Sequence, residues 1–248
     1  MSYPYSTSCG EIGKILHVIL NWVLPYKQDG VFVEVGANDG ITGSFTYNLA
    51  KIGWTGLNFE PVPRLYAKCA DNHRAHPNVK TLPIAIGESS GTASIVDADT
   101  LSTMDADTRD AYHTIPQFST NFVGAKTHTV KVEKLDTMLE ENAINNIDIL
   151  VIDVEGYEEY VLRGFSINRY NPSIIIIEIT DQHPDFINNA VIMQKYNRLR
   201  SYFNIHNYSL LVNDIVDNVY ITNELYEQLH PDIIQYIQKM VNFPQKTL

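Results

Sequence analysis

Cysteine and clustered positive charge are both scarce in this 248-residue chain. There are two cysteines, Cys9 and Cys69, with no metal-ligand spacing and no disulfide framework, so free thiols in a reducing compartment are expected. Lys and Arg number 18 against 29 Asp and Glu, for a formal charge of −11, and the cations are nowhere grouped. Affinity for phosphate chains depends on clustered cations, so a nucleic-acid partner is disfavoured. The most apolar early segment, Ile12 to Leu24, is shorter than the ~20 residues a spanning helix needs and is interrupted by Lys14, His17 and Asn21. It reads instead as an amphipathic helix packed on the domain. The opening Met1-Ser-Tyr-Pro-Tyr-Ser lacks a basic region and an apolar stretch, so no secretory signal is expected and a cytoplasmic setting is.

Several catalytic signatures are missing as well. There is no Gly-x-Ser-x-Gly elbow, no Gly-x-x-x-x-Gly-Lys loop and no His-Glu-x-x-His, which removes support for hydrolase, kinase and zinc-protease chemistry. No repeat or low-complexity segment divides the chain. With 44% hydrophobic residues it is long enough to bury one substantial core.

What is present is an alternation of strands and helices. Strands are expected at 31–36, 54–60, 79–86, 92–96, 128–133, 147–153 and 173–179, with two or three more between Phe203 and Ile221 around a turn at Asn213-Asp214. Helices are expected at 12–24 (broken by Pro25), 44–51, 64–73, 135–141, 157–163, 187–201 and 224–241. The run Ile174 to Ile177 suits a strand covered on both faces. The pattern predicts an α/β fold: a doubly wound, mostly parallel sheet with helices on both faces. Residues 97–125 are polar and without a sustained period, and read as a long lid-like or substrate-facing segment.

In such sheets ligands sit outside the carboxyl ends of the strands. The first strand ends in Glu34-Val-Gly-Ala-Asn-Asp-Gly40, in which Gly36 and Gly40 permit a tight turn and a close ligand. Glu34 can hold an ammonium group or accept turn N–H groups; Asn38 and Asp39 are also ordinary turn residues. The second strand ends at Glu60, followed by Pro61. A carboxylate there can accept both hydroxyls of a ribose. The turn is not Gly-x-Gly-x-x-Gly, and its carboxylates repel phosphate, so a nucleoside cofactor without phosphates is favoured over a dinucleotide. Asp153, Glu155 and Glu158 can deprotonate a hydroxyl, bind an acceptor or hold a hard cation; Glu155 and Glu158 can equally complement a helix dipole. Glu178, at a neighbouring strand end, could complete a metal site beside Asp153.

These residues resemble a known family. Glu34 to Gly40 with Glu60-Pro-Val-Pro63 is similar to the cofactor half of class I S-adenosylmethionine-dependent methyltransferases. Lys134-Leu-Asp-Thr-Met-Leu139 with Ile147-Asp-Ile-Leu-Val-Ile-Asp-Val-Glu-Gly-Tyr-Glu158 resembles the FkbM family in particular. The resemblance implies a Rossmann-like, seven-stranded sheet with an antiparallel final hairpin in a single methyltransferase domain over 1–248. Its parts would be a helical extension at 1–29, a core at 30–222 and a helical tail at 223–248. It implies methyl transfer from S-adenosylmethionine to a hydroxyl, on a small-molecule or glycan acceptor. Glu34, Gly36, Asn38, Asp39 and Gly40 would line the methionine end, Glu60 and Pro61 the ribose, and Ala85 and Ile86 the adenine. Asp153 would serve both donor binding and catalysis, and Leu101-Ser-Thr103 is similar to a family segment facing the active site. The family usually has lysine where this chain has Val151, so any role of that lysine is absent or supplied elsewhere. A divalent metal is possible. A nicotinamide-dependent oxidoreductase and a non-catalytic S-adenosylmethionine-binding module are the alternatives.

Overall fold

The computed structural model describes residues 10–24 and 26–241. The readings of Met1 to Ser6, of Cys9 and of Pro25 lie outside the described residues. In chain order the elements are α1 (Gly10–Val23), β1 (Val31–Val35), α2 (Tyr47–Lys51), β2 (Thr55–Phe59), α3 (Pro63–Asn72), β3 (Val79–Leu82), β4 (Ala85–Ile86), β5 (Gly91–Asp97), α4 (Ala106–Thr114), α5 (Pro116–Ser119) and β6 (Lys126–Glu133). Then follow α6 (Leu135–Glu141), β7 (Ile149–Ile152), α7 (Glu158–Arg163), α8 (Ile167–Tyr170), β8 (Ile174–Glu178), α9 (Ala190–Ile205), β9 (Tyr208–Asn213), β10 (Asp217–Thr222), α10 (Asn223–Gln228) and α11 (Pro231–Val241).

The main sheet has seven strands in the order β3-β2-β1-β7-β8-β10-β9. Its first five strands are mutually parallel, and β10 runs antiparallel to both β8 and β9. A second sheet of three strands, β4-β6-β5, lies beside it. The period of two in β7 and β8 explains why the sheet is covered twice. Leu150, Ile152, Ile175 and Ile177 enter one apolar cluster, while Ile149, Val151, Ile174 and Ile176 enter the other. Each such burial contributes roughly 1.5–3 kcal/mol, so the centre of the sheet is pinned in register. Helix α1 covers the second face through Leu16, Ile19, Leu20 and Val23, against Phe32 and Trp54.

Four expectations are corrected. The strand expected over 79–86 is two strands in two sheets: Pro83 has no N–H for a ladder, and the chain leaves the main sheet there. The helix expected from Ser44 begins at Tyr47, because the Ser44 hydroxyl accepts the Tyr47 N–H at 3.1 Å. Helix α9 is capped by Asn189 and runs on through Phe203 to Ile205, leaving only the β9–β10 hairpin for strand. The terminal helix is two helices, separated where Pro231 starts α11. The segment 97–125 is also more regular than its composition suggests, since it holds α4 and α5.

Candidate active site

A cleft opens at the carboxyl ends of β1, β2 and β7, with about 1010 Å³ of space continuous with solvent. Its geometry begins at the turn after β1. The N–H groups of Gly36 and Ala37 both donate to the Phe59 carbonyl at 3.0 Å, folding the chain sharply over the end of β2. Gly36 adopts φ +89°, and a Cβ there would sit 1.7 Å from the Asp153 carbonyl oxygen, so only glycine fits. Gly40, at φ +77°, packs against Cys69 and His73 in the same way.

Two buried carboxylates line the cleft beside this turn. Glu34 accepts the hydroxyls of Thr46 at 2.6 Å and Ser44 at 3.1 Å. Burial pushes its pKa up to about 7 against those two bonds. Glu60 accepts the N–H groups of Val62 at 2.8 Å and Asn38 at 2.9 Å. Burial raises it, too, to about 7. Each carboxylate oxygen can accept twice, so both side chains keep capacity for a ligand. Ile84, Ala85, Ile86 and Ile95 form an apolar wall beside them. Among the described residues no lysine, arginine or histidine lines the cleft, whereas Glu34, Glu60, Asp99, Asp153 and Glu155 do.

Beyond β7 the acids crowd together. Carboxylate oxygens of Asp153, Glu155 and Glu178 lie within 4.8 Å of one another. Asp217 stands opposite Glu178 in the β8–β10 register. Burial raises Asp153 to about 6 and Asp217 to about 8. Burial, and then the neighbouring negative charges, hold Glu155 and Glu178 well above the usual carboxylate range. Glu155 has φ +53°, uncommon for a side chain of its size. It is held there from three sides. The Thr103 hydroxyl donates to its carbonyl at 2.7 Å, the Tyr112 hydroxyl donates to its carboxylate, and the Lys195 ammonium donates to the adjoining Gly156 carbonyl at 2.6 Å.

Of the residues expected at the site, Glu34, Gly36, Asn38, Glu60, Pro61, Ala85, Ile86, Asp153 and Glu155 all line this one cleft. Asp39, Gly40 and Glu158 do not. The Asp39 carboxylate accepts the N–H groups of Ile41 and Thr42 at 2.9 and 2.7 Å, serving the turn instead of the cleft. Glu158 is fully buried behind the loop, accepting the Gly156 N–H at 2.9 Å. Burial raises it to about 7, and Lys195 opposes that rise. Ser44, Thr46, Tyr112, Lys195 and Asp217 carry no signal in the sequence, since a lone hydroxyl, lysine or hairpin aspartate has no local pattern. Val151 is buried between β1 and β8, and the family's lysine has no counterpart at that position.

A model of the methyltransferase FkbM domain matches residues 34–241. The chain belongs to the FkbM family of methyltransferases. As a member it is an S-adenosylmethionine-dependent methyltransferase, and the nicotinamide alternative falls away. No curated protein matches this FkbM chain. Among solved structures it is similar to an O-methyltransferase from Bacillus cereus in complex with SAH, at 14% identity over 89% of this chain and 82% of that one, with a TM-score of 0.44. It is also similar to a putative O-methyltransferase from Klebsiella pneumoniae (11% identity, 89% and 83% coverage, TM-score 0.46). A Methanococcus jannaschii fibrillarin pre-rRNA processing protein is a third such structure (14%, 88% and 76%, TM-score 0.46). Likeness at this level says nothing about the acceptor of the FkbM enzyme.

Proposed function

We propose that this FkbM methyltransferase carries a methyl group from S-adenosylmethionine to a hydroxyl of a sugar, a glycan or a related natural product. When bound, S-adenosylmethionine supplies an electrophilic methyl on a positively charged sulfur. The cleft suits it: acid-lined, with no cation among the described residues lining it to attract phosphate, and walled on one side by aliphatic side chains. Glu34 receives the ammonium of the methionine end, with Gly36 and Asn38 shaping the turn around it and Gly40 and Asp39 bracing that turn. Glu60 receives the ribose hydroxyls beside Pro61, and Ala85 and Ile86 flank the adenine.

The observation that carries the acceptor reading is Asp153, which lines the same cleft and holds its proton to about pH 6. An alcohol is a weak nucleophile at neutral pH and needs a carboxylate within reach of its proton. Asp153 takes that proton as the oxygen–carbon bond forms and the sulfur–carbon bond breaks; Glu155 orients the hydroxyl. Asp99, Thr100, Ser102 and Met104 border the cleft from the segment 97–125, which closes over the acceptor and limits water. An acid-lined cleft favours neutral acceptors over phosphorylated ones.

The test is Asp153→Asn, assayed for methyl incorporation against a glycan and natural-product library, with cofactor binding followed by calorimetry. Binding should persist while turnover falls by at least about 100-fold, the lower end of what a positioned general base contributes. Undiminished turnover would remove Asp153 from the chemistry. A wild-type protein that binds the donor but never forms S-adenosylhomocysteine with any hydroxyl acceptor would point to a binding module.

A further inference from the structure

The acids beyond β7 present a physical problem that hydroxyl chemistry alone does not resolve. Three carboxylates, Asp153, Glu155 and Glu178, bring oxygens within 4.8 Å of each other. Among the described residues no lysine, arginine or histidine forms an ion pair with any of them. The nearby buried ammonium, Lys195, is committed to Asp105 at 2.9 Å and to the Gly156 carbonyl. Glu178 is 7% exposed, and its Oε2 has no hydrogen-bond partner. A buried carboxylate oxygen left without a partner costs free energy, and proteins retain such a group where something else completes it. The neighbours supply no completion: Asp217 and Glu158 add further negative charge, and Glu158 too has an unpartnered oxygen.

We infer that Asp153, Glu155 and Glu178 form a binding site for one hard divalent cation, of the Mg²⁺ or Mn²⁺ kind, at the floor of the cleft. The donor set is all oxygen and all anionic, which selects hard cations over zinc or copper. Asp153 and Glu155 line the cleft while Glu178 is buried behind them, so the cation's open positions face the acceptor side. The site has a built support: Tyr112 fixes the Glu155 carboxylate, and Thr103 fixes the Glu155 backbone. Hydrogen-bonded partners behind the ligands are a regular feature of metal sites. A cation here keeps the three acids ionised at neutral pH. Its consequence for turnover rests on the role of Asp153 proposed above, because a base must be ionised to accept a proton; the binding itself does not.

The experiment uses the full chain and Mn²⁺ as the probe, with bound metal counted by electron paramagnetic resonance. S-adenosylhomocysteine binding is measured by calorimetry on the same samples. Wild type should take up one Mn²⁺ per chain. Glu178→Gln should weaken that uptake by about tenfold or more, the scale on which site residues tune metal affinity, while Glu140→Gln on the exposed face of α6 should leave it unchanged. Should Glu178→Gln not fold, Glu155→Gln on the cleft side is the second variant, with the same expectation. A folded wild type that binds the nucleoside but takes up no Mn²⁺ at millimolar concentration overturns the cation site and leaves the donor reading standing. Equal Mn²⁺ uptake by wild type and both variants also overturns it. Mn²⁺ uptake with the expected losses, but no nucleoside binding, upholds the site and removes the donor reading instead.

Discussion

Glu34 exchanges water for two hydroxyls and a buried position, and that exchange sets the pH at which it can receive a cation. Its carboxyl is pushed by burial to about 7, so in the free protein at pH 6 it is mostly protonated. An ammonium pairs only with the ionised form, so binding must release the proton. The sign follows: affinity for S-adenosylhomocysteine, which carries that ammonium, should fall as pH drops below 7, by about tenfold per unit once Glu34 is protonated. Calorimetry at pH 8 and pH 6, in buffers of different ionisation heat, measures both the loss and the released proton. Glu34→Gln should bind weakly and with a shallower pH slope, the remainder coming from Glu60, which is also raised to about 7; a slope and proton release unchanged in the variant would place the ammonium elsewhere. At this scale the sequence was informative where chemistry is contiguous. Glu34, Gly36 and Asn38 belong to one turn, and Glu60 closes the adjacent strand. Asp39 is ambiguous in sequence because aspartate is both a ligand and a turn former, and it is the fold that turns its carboxylate to Ile41 and Thr42. Asp217 was invisible because its neighbours in space, Glu178 and Asp153, are distant in the chain.

Elements were readable in proportion to their length and period. The central strands declared themselves through unbroken aliphatic runs. The segment 97–125 did not, because α4 has nine residues and α5 four, too short to sustain a helical repeat. What holds that segment is tertiary: Lys195 of α9 forms a buried ion pair with Asp105, which also caps α4 by accepting the Thr108 N–H at 2.8 Å. Both side chains are under a tenth exposed. Removing one partner leaves an uncompensated charge, so Lys195→Met should destabilise the protein by roughly 3–5 kcal/mol. At roughly 2–4 °C per kcal/mol in a chain of this size, thermal unfolding would report a fall of about 10 °C. Adding Asp105→Asn, which retains a capping oxygen, should recover part of that loss. A double variant no better than the single would mean that the lysine acts through the Gly156 carbonyl and not through its charge.

For the molecule as a whole, the net charge of −11 is less telling than where acids are buried. Glu34, Glu60 and Glu158 are raised to about 7 and Asp217 to about 8, all chiefly by burial. In the unfolded chain such groups titrate near 4. Between roughly pH 4.5 and 8 the native state therefore binds more protons than the unfolded state, and stability must fall as pH rises through that window. The contribution is complete below the unfolded values and is lost through the folded ones. Opposing it, Asp97 is held below its usual range by its hydrogen bonds to Arg64, and that contribution disappears in stronger acid. The optimum for the chain freed of metal and nucleoside should then lie near pH 5–6, on the acid side of neutrality. In the presence of chelator, thermal unfolding at pH 8 should occur at least about 5 °C below that at pH 5.5, the equivalent of one to two kcal/mol. The same scan with millimolar Mn²⁺ should narrow the gap in wild type and leave it nearly unchanged in Glu178→Gln, because a cation can relieve repulsion only where oxygens converge to hold it. A flat or rising profile without metal would mean that water reaches these carboxylates and that the cleft is far more open than its burial implies.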